Sequence, residues 1–208
     1  MLVLALDCCL AACQVGIISG ADALCEISEP IGAERQERLP QLTAEALAAA
    51  GLVFDQLGAI AVTIGPGSFT GLRVGLAFAK GLALSTGLKL TGVGTLAALA
   101  NAPIDPSVRV AAVDAGRGRV YWQAFAGHRA LNAPQCALAS DAVASAAGMA
   151  PQLLVGSGAE MLAAAAPSAL MAPISAPPLR AIAEIAERNR DAPATPLYLR
   201  LEEEKRPW

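Results

Sequence analysis

Apolar runs and polar breaks divide this chain into a series of short elements. Leu2–Leu6 is a continuous apolar run that stops at Asp7, which predicts a buried strand. Ala12–Ser19 and Ala23–Ser28 continue as the second and third strands of a meander. From about Glu34 to Ala50 the period changes to helical, with Leu39, Leu42, Ala46 and Ala49 on one face and Gly51 as the stop. Pro40 inside that pattern predicts a late start or a kink. A buried strand over 58–64, a helix opening at Ser68, a short strand Leu88–Val93 and a helix Thr95–Asn101 follow. Pro103 and Pro106 then mark a boundary near residues 101–107.

The second half repeats the opening. Val108–Val113 is apolar, ends at Asp114, turns through Ala115-Gly-Arg-Gly118 and resumes as Arg119–Phe125. A helix near Asp141–Gly148, a strand Gln152–Val155 ending in Gly156-Ser-Gly158, and a helix Pro178–Arg190 complete the pattern. The tail reads as an exposed strand over Pro196–Arg200 and a charged end, Glu202–Arg206. Strand–Asp–turn–strand at Asp7 and again at Asp114 implies a duplicated α/β fold of two lobes, 1–101 and 102–208, each with a mixed sheet, the tail being free to return to the first lobe. Two such carboxylates could face one cleft and hold magnesium and phosphates; equally, each Asp could simply begin its turn.

The densest glycine signal is Gly65-Pro-Gly-Ser-Phe-Thr-Gly-Leu-Arg-Val-Gly75, directly after the apolar run over 58–64. Gly65 and Gly67 suit turn conformations, and Ser68 is a candidate N-cap. The Gly-x-Gly-x-x-x-Gly spacing is one residue too long for a dinucleotide fingerprint, and there is no Gly-Lys-Ser/Thr of a P-loop. Small residues then recur at Gly71, Gly75, Ala79 and Ala83, a stripe along which another backbone could approach closely. That stripe serves either a partner's helices or the chain's own sheet. In the first case the first helix, with Leu39, Leu42 and Ala46, packs beside it in a four-helix contact.

Composition narrows the choice. In 208 residues, 55% are hydrophobic, the net charge is −3, and the Lys and Arg residues are scattered; a basic nucleic-acid face is therefore not expected. Cys8, Cys9, Cys13, Cys25 and Cys136 show no Cys-x-x-Cys spacing and read as reduced, buried cysteines. The single histidine, His128, has no metal-ligating partner and no evident carboxylate to orient it as a catalytic base. Leu10-Ala-Ala-Cys13 imitates a lipoprotein cleavage site, yet no basic residue precedes it and Asp7 breaks the apolar stretch. With Pro167, Pro173, Pro177 and Pro178 interrupting the longest charge-free run, the expectation is a cytoplasmic protein with no membrane association.

Taken together, these motifs resemble the actin-like ATPase superfamily of sugar kinases, Hsp70 and actin, with its ribonuclease H-like lobes. More closely, the chain resembles the TsaB (YeaZ) family of tRNA threonylcarbamoyladenosine biosynthesis, often grouped with glycoprotease-like M22 peptidases. The resemblance rests on Leu-Ala-Leu-Asp7, Gly65-Pro-Gly-Ser-Phe-Thr-Gly-Leu-Arg73 and Gly92-Val-Gly-Thr-Leu-Ala97. It extends through Asp114-Ala-Gly-Arg-Gly-Arg-Val-Tyr-Trp122, Val155-Gly-Ser-Gly158 and Pro196-Leu-Tyr-Leu-Arg200, nearly the whole chain.

That resemblance implies a non-catalytic partner of a TsaD-like paralogue, which transfers threonylcarbamoyl to tRNA adenosine and carries a His-x-x-x-His metal site that this chain lacks. It further implies a TsaE-like ATPase as a partner, contact with tRNA only through the complex, and a homodimer when the chain is alone. The implied partner surface is Leu39, Leu42, Ala46, Gly71, Arg73, Gly75, Ala79 and Ala83. No cofactor is required; ATP or ADP with magnesium is the ligand a cleft or partner interface could take, with Asp7, Gly67, Ser68 and Asp114 as the candidate contacts. Two departures weaken the nucleotide reading: Cys8-Cys9 stands where the family usually has Thr-Ser, and Glu34 stands where many members have a histidine. The alternatives are a nucleotide-binding ATPase-like enzyme or an M22 peptidase-like enzyme acting on its own. Arg117 and Arg119 could meet a phosphate or an acidic partner, or simply flank a solvated turn.

Overall fold

A computed structural model describes residues 1–30, 38–101 and 108–199. Glu34, Pro103, Pro106, Arg200 and the segment 202–206 lie outside the described residues. The chain forms two compact units, one of Met1–Ala98 with Ala176–Leu197 and the other built on Leu99–Ser175.

In the first unit β1 (Leu2–Asp7), β2 (Ala12–Ser19) and β3 (Asp22–Pro30) form the expected antiparallel meander. β4 (Ala59–Thr63) then adds parallel to β1, and β5 (Lys89–Val93) parallel to β4, giving the order β3-β2-β1-β4-β5. Strand alternation sorts the side chains of β1 between two helical layers. Leu4 and Leu6 join Val15, Ile17, Ile60 and Val62 beneath α1 (Leu39–Ala49) and α2 (Phe69–Thr86). Val3 and Ala5, with Ile18 and Ala61, turn to the opposite face, where α5 (Leu179–Arg188) covers them with Leu179, Ile182, Ala183 and Ala186. The first unit is therefore made from two separate stretches of chain, the later one supplying a whole helical layer. Pro40 sits in the first turn of α1, where its missing N–H costs nothing; the helix starts late and runs on from there.

α3 (Thr95–Ala100) follows β5 directly. Beyond it, β6 (Val108–Gly116) and β7 (Arg119–Ala126) form an antiparallel pair, extended by β8 (Arg129–Ala130) and β9 (Gln135–Leu138), both paired with β7. β10 (Leu153–Val155) adds parallel to β6, and β11 (Leu170–Ala172) parallel to β10. α4 (Ala139–Ala147) and a tight helical turn over Glu160–Ala165 cover one face, where Trp122, Val110 and Leu154 meet Ala142, Ala146 and Leu162.

The two sheets share one plan: an antiparallel strand pair that turns at an aspartate, then two further strands added parallel to the first of the pair. The hairpins at Asp7 and Asp114 lie in different sheets, as the duplicated α/β reading requires. The tail differs from expectation. Residues 192–199 form no regular strand. They run instead as a strap bonded by its ends, Gly92 N donating to Ala192 O at 3.1 Å and Leu197 N to Ile64 O at 2.7 Å.

Candidate functional site

Each strand-ending aspartate makes the same local turn. Asp7 Oδ1 accepts from the N–H of Cys9 at 3.1 Å, and Asp114 Oδ1 from the N–H of Gly116 at 2.7 Å, a carboxylate capping its own backbone two residues on. The environments then diverge. Asp114 is exposed on its hairpin, whose Gly116, Arg117 and Gly118 all take the left-handed conformation (φ 73°, 56° and 70°). Its N–H donates to Ser157 Oγ at 3.2 Å. Asp7 is fully buried. Its Oδ1 also accepts from Thr63 Oγ1 at 2.6 Å, while Oδ2 has no hydrogen-bond partner among the described residues. Burial pushes the Asp7 carboxyl up to about 6, and the bonds from Thr63 and Cys9 offset only part of that rise.

The thiols that follow Asp7 face inward. Cys9 Sγ lies 3.0 Å from Thr63 Oγ1. Because the single Thr63 hydroxyl hydrogen goes to Asp7, Cys9 is the donor, and a proton-ordered chain runs from Cys9 through Thr63 to Asp7. Cys8 Sγ lies 3.0 Å from Cys13 Sγ. Neither thiol is directed outward from the turn, so the turn offers no side-chain hydroxyl to a phosphate.

Gly67 and Ser68 are placed by that same turn. A Cβ on Gly67 would come within 2.2 Å of the Cys9 carbonyl oxygen, so only glycine fits. Ser68 N donates to Cys9 O at 2.7 Å, and Ser68 Oγ caps α2 by accepting from Gly71 N at 3.3 Å. The peptide bond between Gly65 and Pro66 is cis. The second unit repeats the close approach: a Cβ on Gly156 would lie 2.2 Å from Ala112 O, and one on Gly158 3.0 Å from Asp114 N.

The small-residue stripe is turned inward, which corrects the sequence-based partner surface. Gly71, Gly75 and Ala79 are buried, and Ala83 is half-buried and packs against the same core. A Cβ on Gly75 would meet Cys8 Cβ at 3.7 Å and Val62 Cγ2 at 3.9 Å. Leu39, Leu42 and Ala46 are likewise fully buried, with none of their surface left for another protein. The physical reason is the sheet beneath: small side chains let α2 lie close to β1 and β4, and α1 fills the space beside it. Of the residues proposed for the surface, Arg73 alone is exposed. It stacks its guanidinium 3.8 Å from the centroid of the Phe69 ring.

Sequence reading missed the opposite face of α2. Phe69, Arg73, Ala77, Lys80 and Leu84 recur at spacings of four, four, three and four, all exposed, with Phe69 at 52% and Leu84 at 89%. Two large apolar side chains, Phe69 and Leu84, thus stand in water on the same face as Arg73 and Lys80. The signal lies in the spacing, which the denser pattern of glycines on the other side of the helix masks. Among the described residues, no group of three or more His, Cys, Asp and Glu is placed to hold a metal ion, and no helix is long and apolar enough to cross a membrane.

Comparison with known proteins sets these features in a family. The model for TsaD, tRNA N6-adenosine threonylcarbamoyltransferase, matches residues 30–178. The Escherichia coli K12 tRNA threonylcarbamoyladenosine biosynthesis protein TsaB is 35% identical over 133 residues, 60% of this chain and 55% of that protein. The chain thus spans about half the length of that relative. An uncharacterized protein of Mycobacterium tuberculosis H37Rv is 32% identical over 201 residues, covering 95% of this chain and 91% of that one. Among solved structures, a Pseudomonas aeruginosa protein described as similar to peptidase YeaZ superposes with a TM-score of 0.77 at 25% identity, covering 96% of this chain and 99% of that one.

Proposed function

Because the chain belongs to the TsaB (YeaZ) family, within the TsaD glycoprotease-like group of the actin-like ATPase superfamily, we propose that it is a non-catalytic partner of a TsaD-type threonylcarbamoyltransferase. It acts in the cytoplasm, in tRNA threonylcarbamoyladenosine modification, as scaffold and activator. The observation that carries this reading is the outer face of α2: Phe69, Arg73, Ala77, Lys80 and Leu84 present an apolar stripe with two cations, exposed on a helix whose inner face is already fixed to the sheet. Burying Leu84 and the Phe69–Arg73 stack against a partner helix recovers apolar area that the isolated chain leaves in water. A TsaD-like paralogue occupies this face, and two copies of the chain share it when that paralogue is missing. A TsaE-like ATPase joins the assembly, and tRNA is met only through the complex.

The absence of a second histidine from the sequence supports a non-catalytic role, since a His-x-x-x-His metal site cannot be assembled from His128. The residues around Asp7 do not fit a magnesium-bound nucleotide. Its unpartnered oxygen is fully buried, its carboxyl is held toward the neutral form, and the adjacent thiols are bonded to Thr63 and Cys13.

The test is co-purification of the full chain with the TsaD-like protein of the same organism. Wild type should form a stoichiometric complex that Leu84→Glu abolishes while the variant stays folded. A complex that survives Leu84→Glu together with Arg73→Glu would place the partner elsewhere, and threonylcarbamoyl transfer by this chain alone would overturn the non-catalytic reading.

A further inference from the structure

Cys8 and Cys13 stand one step beyond the last pair of the β1–β2 ladder, Asp7 with Gln14, and continue its register. Facing residues of an antiparallel ladder have Cα atoms about 4.5–5.5 Å apart, within the range that a disulfide spans, about 4.4–6.8 Å. The two sulfurs are already in contact at 3.0 Å, and both residues are buried, at 1% and 0% exposure. The chain's other thiols are engaged or placed elsewhere: Cys9 Sγ bonds to Thr63, Cys25 lies on β3, and Cys136 lies in the second unit. We propose that Cys8 and Cys13 are a modification site, closing to an intramolecular disulfide when the chain meets a hydroperoxide.

The hydrogen bond the pair shares makes the two sulfurs unequal. It lowers the Cys13 thiol and raises that of Cys8, so Cys13 is the readier of the two to ionise. The Cys13 thiolate attacks one peroxide oxygen and breaks the O–O bond. This gives a Cys13 sulfenic acid and a hydroxide that takes a proton to become water. Cys8 sulfur, losing its proton, then attacks the sulfenic sulfur; the S–S bond forms, the S–O bond breaks, and a second water leaves. Two thiols are oxidised to one disulfide as one peroxide is reduced to two waters. The turn that joins the two strands lies at the surface, with Leu10 half-buried and Ala11 exposed. The ring so formed encloses Cys9, whose carbonyl receives the Ser68 N–H and lies against Gly67. Oxidation therefore fixes the support on which α2 begins.

The experiment treats the purified full chain with hydrogen peroxide, alkylates it in denaturant, and reads intact mass and unreduced peptide maps. The expected result is a mass lower by two hydrogen atoms, two fewer alkylated groups among the five thiols, and a link mapped to Cys8 and Cys13 that dithiothreitol reverses. Cys8→Ser and Cys13→Ser should each abolish the link, while Cys9→Ser and Cys25→Ser retain it. Full alkylation after peroxide, or a link that involves Cys9, Cys25 or Cys136, would overturn the proposal. The wild-type map decides the matter even if a serine variant fails to fold.

Discussion

Thr63 on β4 donates its hydroxyl hydrogen to Asp7 on β1 at 2.6 Å, tying the ends of two parallel neighbours through a carboxyl group that water does not reach. Burial, which that bond offsets only in part, makes Asp7 a pH-sensitive element of stability. Burial raises its carboxyl to about 6 in the folded chain, above the unfolded value, so the folded state binds the proton more tightly. The stabilising contribution is complete below about pH 4 and is lost as the pH rises through about 6. The size is about 2–3 kcal/mol at about 1.4 kcal/mol per unit. Asp7→Asn should remove this slope. Urea midpoints of wild type and variant, compared across that interval, check it; parallel curves would show that Asp7 does not titrate there.

The partner surface and the inner stripe of α2 are separable by substitution. Gly75→Leu forces four carbons toward Cys8 and Val62 and should destabilise the fold by about 1–3 kcal/mol or more. Leu84→Glu touches nothing in the core and should leave the thermal midpoint unchanged, while weakening capture of the TsaD-like partner at least about tenfold, as loss of an interface anchor does. Thermal melts and pull-down titrations on both variants give the two readouts. Gly75→Leu that melts like wild type but loses the partner would restore the small-residue stripe as the interface.

Gly67→Ala should be among the most damaging single-carbon changes in the first unit. The added Cβ would meet a backbone oxygen 2.2 Å away, which cannot rotate aside like a side chain, so the turn at Cys9 or the start of α2 must move. A loss of about 1–3 kcal/mol in chemical denaturation is expected. Gly20→Ala is the control, since no atom lies within 4 Å of a Cβ there and its cost is backbone conformation alone.

Ser68→Ala removes the acceptor for Gly71 N and should cost about 1 kcal/mol, with Ser68→Asp recovering most of it. Amide exchange at Gly71 and Leu72 reports the loss directly. Unchanged protection there would mean that the Cys9 carbonyl, not the serine hydroxyl, holds the helix start.

The strands and helices were legible wherever periodicity ran long enough. β1, β2, α2 and α5 appear close to their expected bounds because each carries an unbroken apolar rhythm between clear stops. β8, β9 and β11 were not foreseen; two to four residues show no period, and partners distant in sequence decide their pairing. The orientation of α2 was misjudged for a related reason. Small residues permit close approach but do not specify what approaches, and the sheet below α2 is assembled from segments that local sequence cannot bring together. The strand expected over 196–200 is, through 199, a strap, because Pro193 and Pro196 supply no N–H for a ladder. Asp7 and Asp114 looked equivalent on paper. What separates them is depth, a property of the finished packing.

The layer that α5 provides has a consequence for how this protein comes into being. Val3, Ala5, Ile18 and Ala61 are synthesised early, yet the helix that shields them leaves the ribosome only after the long stretch Leu99–Ser175 of the second unit has been made. The nascent first sheet thus waits with a bare apolar face, the kind of surface that chaperones hold and that neighbouring nascent chains adhere to. Closing it requires contacts between residues far apart along the polypeptide, which makes docking of α5 a late and slow event in maturation.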